Sequence, residues 1–417
     1  MKFLSQIKKT VLLQFGKTVK MKWLIKLLAY LSLLCVAYMI LIRDLEHTSL
    51  SNLINFTMFS SVIIALLVDK AIDYTLKVVE NRLEDKKKLT TEYEKLVERY
   101  KPSGKLFVAQ SSDGEGKTFP AIVYNLENST QRIQIIDDDC KQYSMPFLLI
   151  EHYSELMSAH RTSDLKNNQM IRVDNACLSD TGLTLRTSRT MYFDSMVANR
   201  AMDFECSDGF KVRDYYAQGL RDIELSKSLL SNHLGVGGFI LTADEKVVFI
   251  DGRQGTFSIG KRIYQQSFGA AVHPSKFGKF TEEDLTDSVR QTLRRELALD
   301  CGDYDPAQLQ TPKYFYIDLL EGCKPQLLYF VALHNLSSDD LQERFSKGFK
   351  EREDIDFRPD GKKLDFKSFD VVTRAVVDLG EIDFSEPQGA NKRRAVKKVL
   401  PSTALSTLLL QEYLRGQ

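Results

Sequence analysis

Leu234-Gly235-Val236-Gly237-Gly238-Phe239-Ile240-Leu241-Thr242-Ala243-Asp244-Glu245-Lys246-Val247-Val248-Phe249-Ile250-Asp251-Gly252-Arg253 is the stretch on which the fold of this 417-residue chain turns. It reads as an apolar strand, a polar turn at Asp244, Glu245 and Lys246, and a second apolar strand that ends on a basic residue. That pattern is a β-hairpin.

Downstream, Ser267-Phe268-Gly269-Ala270-Ala271-Val272-His273-Pro274 is a glycine-containing strand, and a helix is expected over residues 282–299. Leu285, Val289, Leu293 and Leu297 recur there at the spacing of a core-facing helical stripe. The helix carries Arg295-Glu296-Leu297-Ala298-Leu299-Asp300-Cys301-Gly302, in which Glu296 and Asp300 are four apart and expected on one face, with Leu299 between them. Residues 313–317 and 326–333 supply further strands, and residues 404–414 a closing helix.

Hairpin, glycine strand and helix in this order resemble the Nudix family, whose signature runs Arg-Glu-hydrophobic-x-Glu-Glu-x-Gly. The resemblance covers residues 234 to 417. It implies a phosphate-sized cleft in which clustered carboxylates hold Mg²⁺, a hard ion that bridges a diphosphate and activates water. Leu299 stands at the middle acid, Asp287 at the acid eight residues before the arginine, and Thr281 where a glycine is expected. Glu296 and Asp300 therefore remain as a degenerate metal pair. No cofactor is expected, and Mg²⁺ only if hydrolysis survives. An Arg-Arg-Glu-Leu run taken alone is usually a solvated helix face.

Upstream, residues 102–232 read as a mixed α+β lead-in, with β-like runs at 106–109, 121–124, 133–136, 170–173 and 183–187 and helices near 147–159 and 215–230. Residues 70–101 form a charged helical connector, either a short coiled coil or one helix packed on the soluble part. Residues 23–42 and 53–68 are apolar enough to be expected as two transmembrane helices, within a segment 23–69. The first 43 residues hold seven lysines, one arginine and no acid, and residues 1–22 resemble a basic interfacial helix. The positive-inside rule then expects an inner-membrane protein with both termini cytoplasmic. The six cysteines show no C-x-x-C pair or regular spacing, which fits free thiols in a reducing compartment and no zinc site.

The whole chain, with a net charge of +1, is thus expected to be α+β: a two-helix transmembrane hairpin and helical connector, then a soluble mixed region with a Nudix-like domain at 233–417. It resembles the two-pass effectors of bacterial CBASS antiphage defence that carry a Nudix-like sensing domain. That resemblance implies a cyclic di- or trinucleotide, made by a partner nucleotidyltransferase, as ligand. It also implies homo-oligomerisation, contact with inner-membrane lipid, membrane disruption and cell death, with no catalysis. Arg253, Lys261, Arg262 and Arg295 are the candidate phosphate-binding cations. Tyr264 and Phe268 are candidate surfaces for base stacking, although aromatics at strand positions more often pack in the core. A membrane-anchored Nudix hydrolase of a nucleoside diphosphate derivative is the alternative, and a passive adaptor the third. Lys392, Arg393, Arg394, Lys397 and Lys398 form a basic run that is more commonly a solvated turn. Nothing resembles a motif that reads duplex DNA.

Overall fold

Buried backbone N–H and C=O groups need partners, so the apolar runs of this chain have to find one another in sheets. The computed structural model describes residues 88–110, 116–126, 133–160, 166–179, 182–219, 224–251, 263–274, 278–351, 363–385 and 395–416. In the lead-in region a short helix α1 (Tyr93–Tyr100) precedes two paired strands, β1 (Val108–Gln110) and β2 (Gly116–Thr118). Strand β3 (Ala121–Asn125) follows, then β4 (Gln134–Gln142), helices α2 (Phe147–Glu151) and α3 (Tyr153–Ser158), β5 (Gln169–Ser179) and β6 (Gly182–Met191), and helices α4 (Tyr192–Ala198) and α5 (Val212–Tyr216). Strands β4, β6 and β5 form a three-stranded sheet in that order, parallel on one side of β6 and antiparallel on the other.

The helix expected over 147–159 is broken at His152 into α2 and α3, and the one near 215–230 is reduced to α5. Among the described connector residues, 88–92 are not helical and α1 starts only at Tyr93. Leu89, Leu96 and Tyr100 pack into the core, and the Thr90 N–H donates to Asp203 at 2.7 Å, so this end of the connector is built into the same body as the lead-in region.

The second half contributes β7 (Gly235–Leu241), β8 (Lys246–Asp251), β9 (Phe268–Ala271), helix α6 (Glu282–Leu297), β10 (Tyr314–Asp318), β11 (Lys324–Ala332) and α7 (Ser338–Glu351). After these come β12 (Lys363–Ser368), α8 (Phe369–Arg374), β13 (Val376–Val377), β14 (Glu381–Asp383), β15 (Val396–Lys398) and α9 (Pro401–Arg415). The main sheet runs β12-β8-β7-β11-β10-β3, with β9 also paired to β7. Only β7 and β11 are parallel; the other pairs are antiparallel. The opening hairpin forms, but β8 stays with β7 only near the turn, at Leu241 and Val247, because β9 takes the edge of β7 from Gly235 to Gly238. Close approach of β7 to β11 depends on Gly238, where a Cβ atom would lie 1.9 Å from the Tyr329 carbonyl oxygen.

Two cores flank this sheet. On one side Leu285, Val289, Leu293 and Leu297 of α6 join a cluster with Val236, Ile240, Leu327 and Val331; on the other Ala404, Leu405, Leu409 and Leu410 of α9 join Phe239, Phe249, Leu328 and Phe330. The lead-in region is continuous with this body. β3 pairs with β10, so the sheet crosses the 232/233 boundary, and residues of both halves share the larger core. Arg213 fastens the β10–β11 turn by donating to the carbonyls of Leu319 at 2.9 Å and Leu320 at 2.7 Å while it grips Asp203 through two bonds.

The expected fold class needs correction. Among the described residues no helix is long and apolar enough to cross a membrane. The least polar long helix, α9, has 15 residues, a rise of about 22 Å against the roughly 30 Å of a hydrocarbon core. The fold is mixed α+β with several sheets, and nothing described marks an inner-membrane protein. The stretches 23–42 and 53–68, the flank 1–22 and connector residues 70–87 lie outside the described residues.

Candidate functional site

The end of α6 is where the sequence placed the chemistry. Thr281 caps the helix start: its hydroxyl accepts from the Asp284 N–H at 3.3 Å, and the Asp284 carboxylate accepts from the Thr281 N–H at 2.9 Å. This is a capping box, so a residue that seemed to replace a glycine has a structural use. Asp287 pairs with Arg290 on the same helix.

At the other end the helix stops at Leu297 instead of Leu299, because Ala298 takes a left-handed conformation with φ of 57°. Leu299 is fully buried in the larger core. Asp300 falls beyond the helix end, so it does not share a helical face with Glu296 as expected. Its carboxylate lies 3.5 Å from Arg294, and its N–H donates to Asp303. Glu296 is 9% exposed and sits 3.6 Å from the half-exposed Arg295 guanidinium. The residues do not fit Mg²⁺, which demands near-octahedral oxygen ligation: the middle position is a buried leucine, and the flanking acids are diverted to arginines. Among the described residues, the grouping of acid and thiol atoms near enough to share an ion is Asp138, Asp139 and Cys140, exposed on β4.

Arg295 is the candidate cation that the structure describes, and its charge helps burial hold the His273 imidazole below its ordinary value. Arg253, Lys261 and Arg262 lie outside the described residues. Tyr264 and Phe268 are each 1% exposed. The Tyr264 ring stacks on Phe249 at 4.8 Å and meets Phe384 edge-on at 5.8 Å, while Phe268 packs beside Gly238. Both rings are core, and the base-stacking assignment is corrected accordingly.

A second constellation was not foreseen. Asp318 at the end of β10 pairs in register with Lys324 at the start of β11. Gln326 pairs with Gly235 on β7, so Lys324 stands level with His233, two residues earlier on each strand. Glu321, in the β10–β11 turn, receives Lys324 at 3.1 Å and Arg200 at 3.3 Å. Arg200 lies just past α4 and also donates to the Tyr192 hydroxyl at 3.1 Å. Asn199 donates to the carbonyls of Glu321 at 2.8 Å and Gly322 at 3.1 Å and to the Asn232 side chain at 3.1 Å. Asp318, Glu321, Lys324, Asn232 and His233 are all buried. Both nitrogens of His233, the Asn232 amide nitrogen and one Asp318 oxygen make no hydrogen bond to the protein.

Burial and the neighbouring Glu321 push the Asp318 carboxyl up. Burial acts in the same direction on Glu321, but Lys324 and Arg200 overcome it and hold that carboxyl below its usual range. Burial, with Lys324 and Arg200 nearby, keeps His233 well below its ordinary value and therefore neutral. In sequence, the acids and lysine of residues 318–324 resemble a solvated hairpin turn; what buries them is the lead-in region, 85 or more residues away. The readable signal was Asn232-His233 immediately before an otherwise apolar strand.

No family model matches the chain, and no curated protein matches it significantly. Among solved structures, the crystal structure of DR0079 from Deinococcus radiodurans is similar at 15% identity over 34% of this chain and 71% of that one. The TM-score is 0.19, at which the likeness carries no argument about fold or function.

Proposed function

We propose that this chain is a nucleotide sensor that does not hydrolyse its ligand. In this reading the Nudix-like part, residues 233–417, binds a cyclic di- or trinucleotide made by a partner nucleotidyltransferase in antiphage signalling of the CBASS kind. Ligand binding biases a homo-oligomer toward its active arrangement, which requires about 5.5 kcal/mol of differential affinity to move a population from 1:99 to 99:1. The proposal contains no membrane step.

One observation carries it: the helix that would bring three acids onto a metal ends at Leu297, with Leu299 in the core. Without converging carboxylates the attacking water of a hydrolase has no activating ion, whereas phosphate binding needs only cations and donors. Arg295, half-exposed at that helix end, supplies a guanidinium suited to bidentate phosphate contact.

The full chain is titrated by calorimetry with cyclic di- and trinucleotides, and in parallel incubated with linear nucleoside diphosphate compounds and Mg²⁺. Saturable binding of one cyclic ligand, weakened by Arg295→Ala and without turnover, is expected. Hydrolysis of a linear compound would replace the sensor with an enzyme. Silence in both arms would leave a protein-binding adaptor.

A further inference from the structure

We propose that the turn spanning residues 206–210 is a pH-dependent latch: His152, at the break between α2 and α3, clasps Asp208 while its ring is an imidazolium and releases it when the ring is neutral. The inference does not depend on the sensor reading.

The donor count comes first. His152 Nδ1 lies 2.8 Å from the Leu148 carbonyl oxygen, and Nε2 lies 2.9 Å from an Asp208 carboxylate oxygen. A carbonyl and an ionised carboxylate can only accept. A neutral imidazole has one N–H and one lone pair, so in either tautomer one of these contacts sets a lone pair against an oxygen. Only the imidazolium donates at both nitrogens, and the geometry is that of the charged ring.

The other side of the contact is held in place. Asp208 accepts the Phe210 N–H at 3.0 Å. The turn closes on itself, with the Cys206 N–H donating to the Phe210 carbonyl at 2.9 Å and the Gly209 N–H to the Cys206 carbonyl at 3.0 Å. Gly209 supplies the left-handed residue of this turn, with φ of 93°. The Phe210 ring stacks on the His152 imidazole at 4.1 Å, which orients the imidazole plane.

The surrounding charges agree. Burial alone lowers the His152 imidazole, but the bonds to Asp208 and the Leu148 carbonyl, with the charges of Asp208 and Glu151, overcome it and raise the ring above its ordinary 6.5. The same contact lowers the Asp208 carboxyl. Of the other groups packed here, Glu155 on α3 accepts from Ser207 at 2.9 Å, Glu205 pairs with Lys211 at 3.0 Å, and the Tyr215 ring of α5 lies 4.9 Å from Phe210. The folded chain thus binds the His152 proton more tightly than the unfolded chain. The latch is closed below about pH 6.5 and opens as pH rises through the raised value.

Its position gives the latch a consequence. Asp203, just before the turn, accepts the Thr90 N–H of the connector end and grips Arg213, just after the turn, whose guanidinium holds the Leu319 and Leu320 carbonyls. Release of the turn loosens the segment that joins the connector to the β10–β11 turn.

The test is hydrogen–deuterium exchange of the full chain at about pH 5.5 and about pH 8, with rates corrected for the intrinsic pH dependence of exchange and α6 as the internal control for global change. Protection of residues 205–211 is expected to fall between the two, by at most about tenfold per pH unit because one proton is linked, with no matching fall in α6. Asp208→Asn, at a side chain 60% exposed, should abolish the dependence, because an amide can accept from a charged ring or donate to a neutral one. His152→Gln should abolish it as well; if that variant does not fold, Asp208→Asn decides. Equal protection at both pH values, a fall that α6 shares in full, or a dependence that survives Asp208→Asn overturns the proposal.

Discussion

The end of α6 and the buried row at Asp318, Lys324 and His233 are two polar regions of one sheet-based body, built on opposite principles. The first is assembled within eight consecutive residues, and its charges are partly exposed and paired with neighbours on the same segment. The second draws on residues near 200, 232 and 320, encloses its charges, and leaves polar atoms without protein partners. Local sequence can place like chemistry side by side, but only tertiary structure can desolvate it. Desolvation is what makes charge expensive, and hence specific.

The largest predicted effect follows directly. Arg200→Ala removes one of the two cations that bond the buried Glu321 carboxylate and should destabilise the protein by about 3–5 kcal/mol, as expected for breaking a buried ion network. Arg295→Ala, at a guanidinium 43% exposed, should stay within roughly 0.5 kcal/mol, as surface substitutions do. Urea unfolding of both variants measures the contrast. Equal, small effects would mean that the row is solvated and that the two regions do not differ in kind.

The contrast sharpens with pH. Asp318 has its carboxyl raised from 3.8 to about 7, burial being the largest cause. Between those values the unfolded chain has lost this proton while the folded chain keeps it, so the folded state binds more protons and stability falls as pH rises. The fall is at most about 1.4 kcal/mol per pH unit, and it levels off above about pH 7. Asp318→Asn should flatten this part of the melting-temperature profile and be relatively more stable at pH 8 than at pH 4. Parallel profiles for the two proteins would show that Asp318 ionises freely.

These two regions also mark where the sequence was readable. The strands β7, β9, β10 and β11 and the start of α6 followed from apolar runs, turn residues and spacing, because those are local preferences that the packed structure agrees with. The participation of β3 in the main sheet was not readable, since nothing in Ala121-Ile122-Val123-Tyr124-Asn125 names Tyr314–Asp318 as its partner. The buried positions of Tyr264 and Phe268 were readable only in part: strand position favoured core packing over a ligand surface, but alternation gives a side without saying what covers it. The buried row was invisible for the same reason: a run such as Asp-Leu-Leu-Glu-Gly-Cys-Lys looks solvated until Arg213 and Asn199 are placed over it.

The end of α6 misled in a different way. Leu297, Ala298 and Leu299 are good helix formers and carry no stop signal of the usual glycine or asparagine kind, yet Ala298 turns left-handed and Leu299 enters the core. Ala298→Gly is predicted to have a small effect, and its sign decides whether two acids can share a helical face. At a left-handed position glycine relieves the Cβ clash, so stability should rise by about 0.4–1 kcal/mol, net of the entropy that glycine adds to the unfolded chain. In a helix that continued to Leu299, the same change would lower stability by up to about 1 kcal/mol. A gain in urea midpoint at unchanged slope keeps Asp300 off the Glu296 face and the metal site incomplete. A loss would restore the uninterrupted helix and, with it, the geometric basis for a hydrolase.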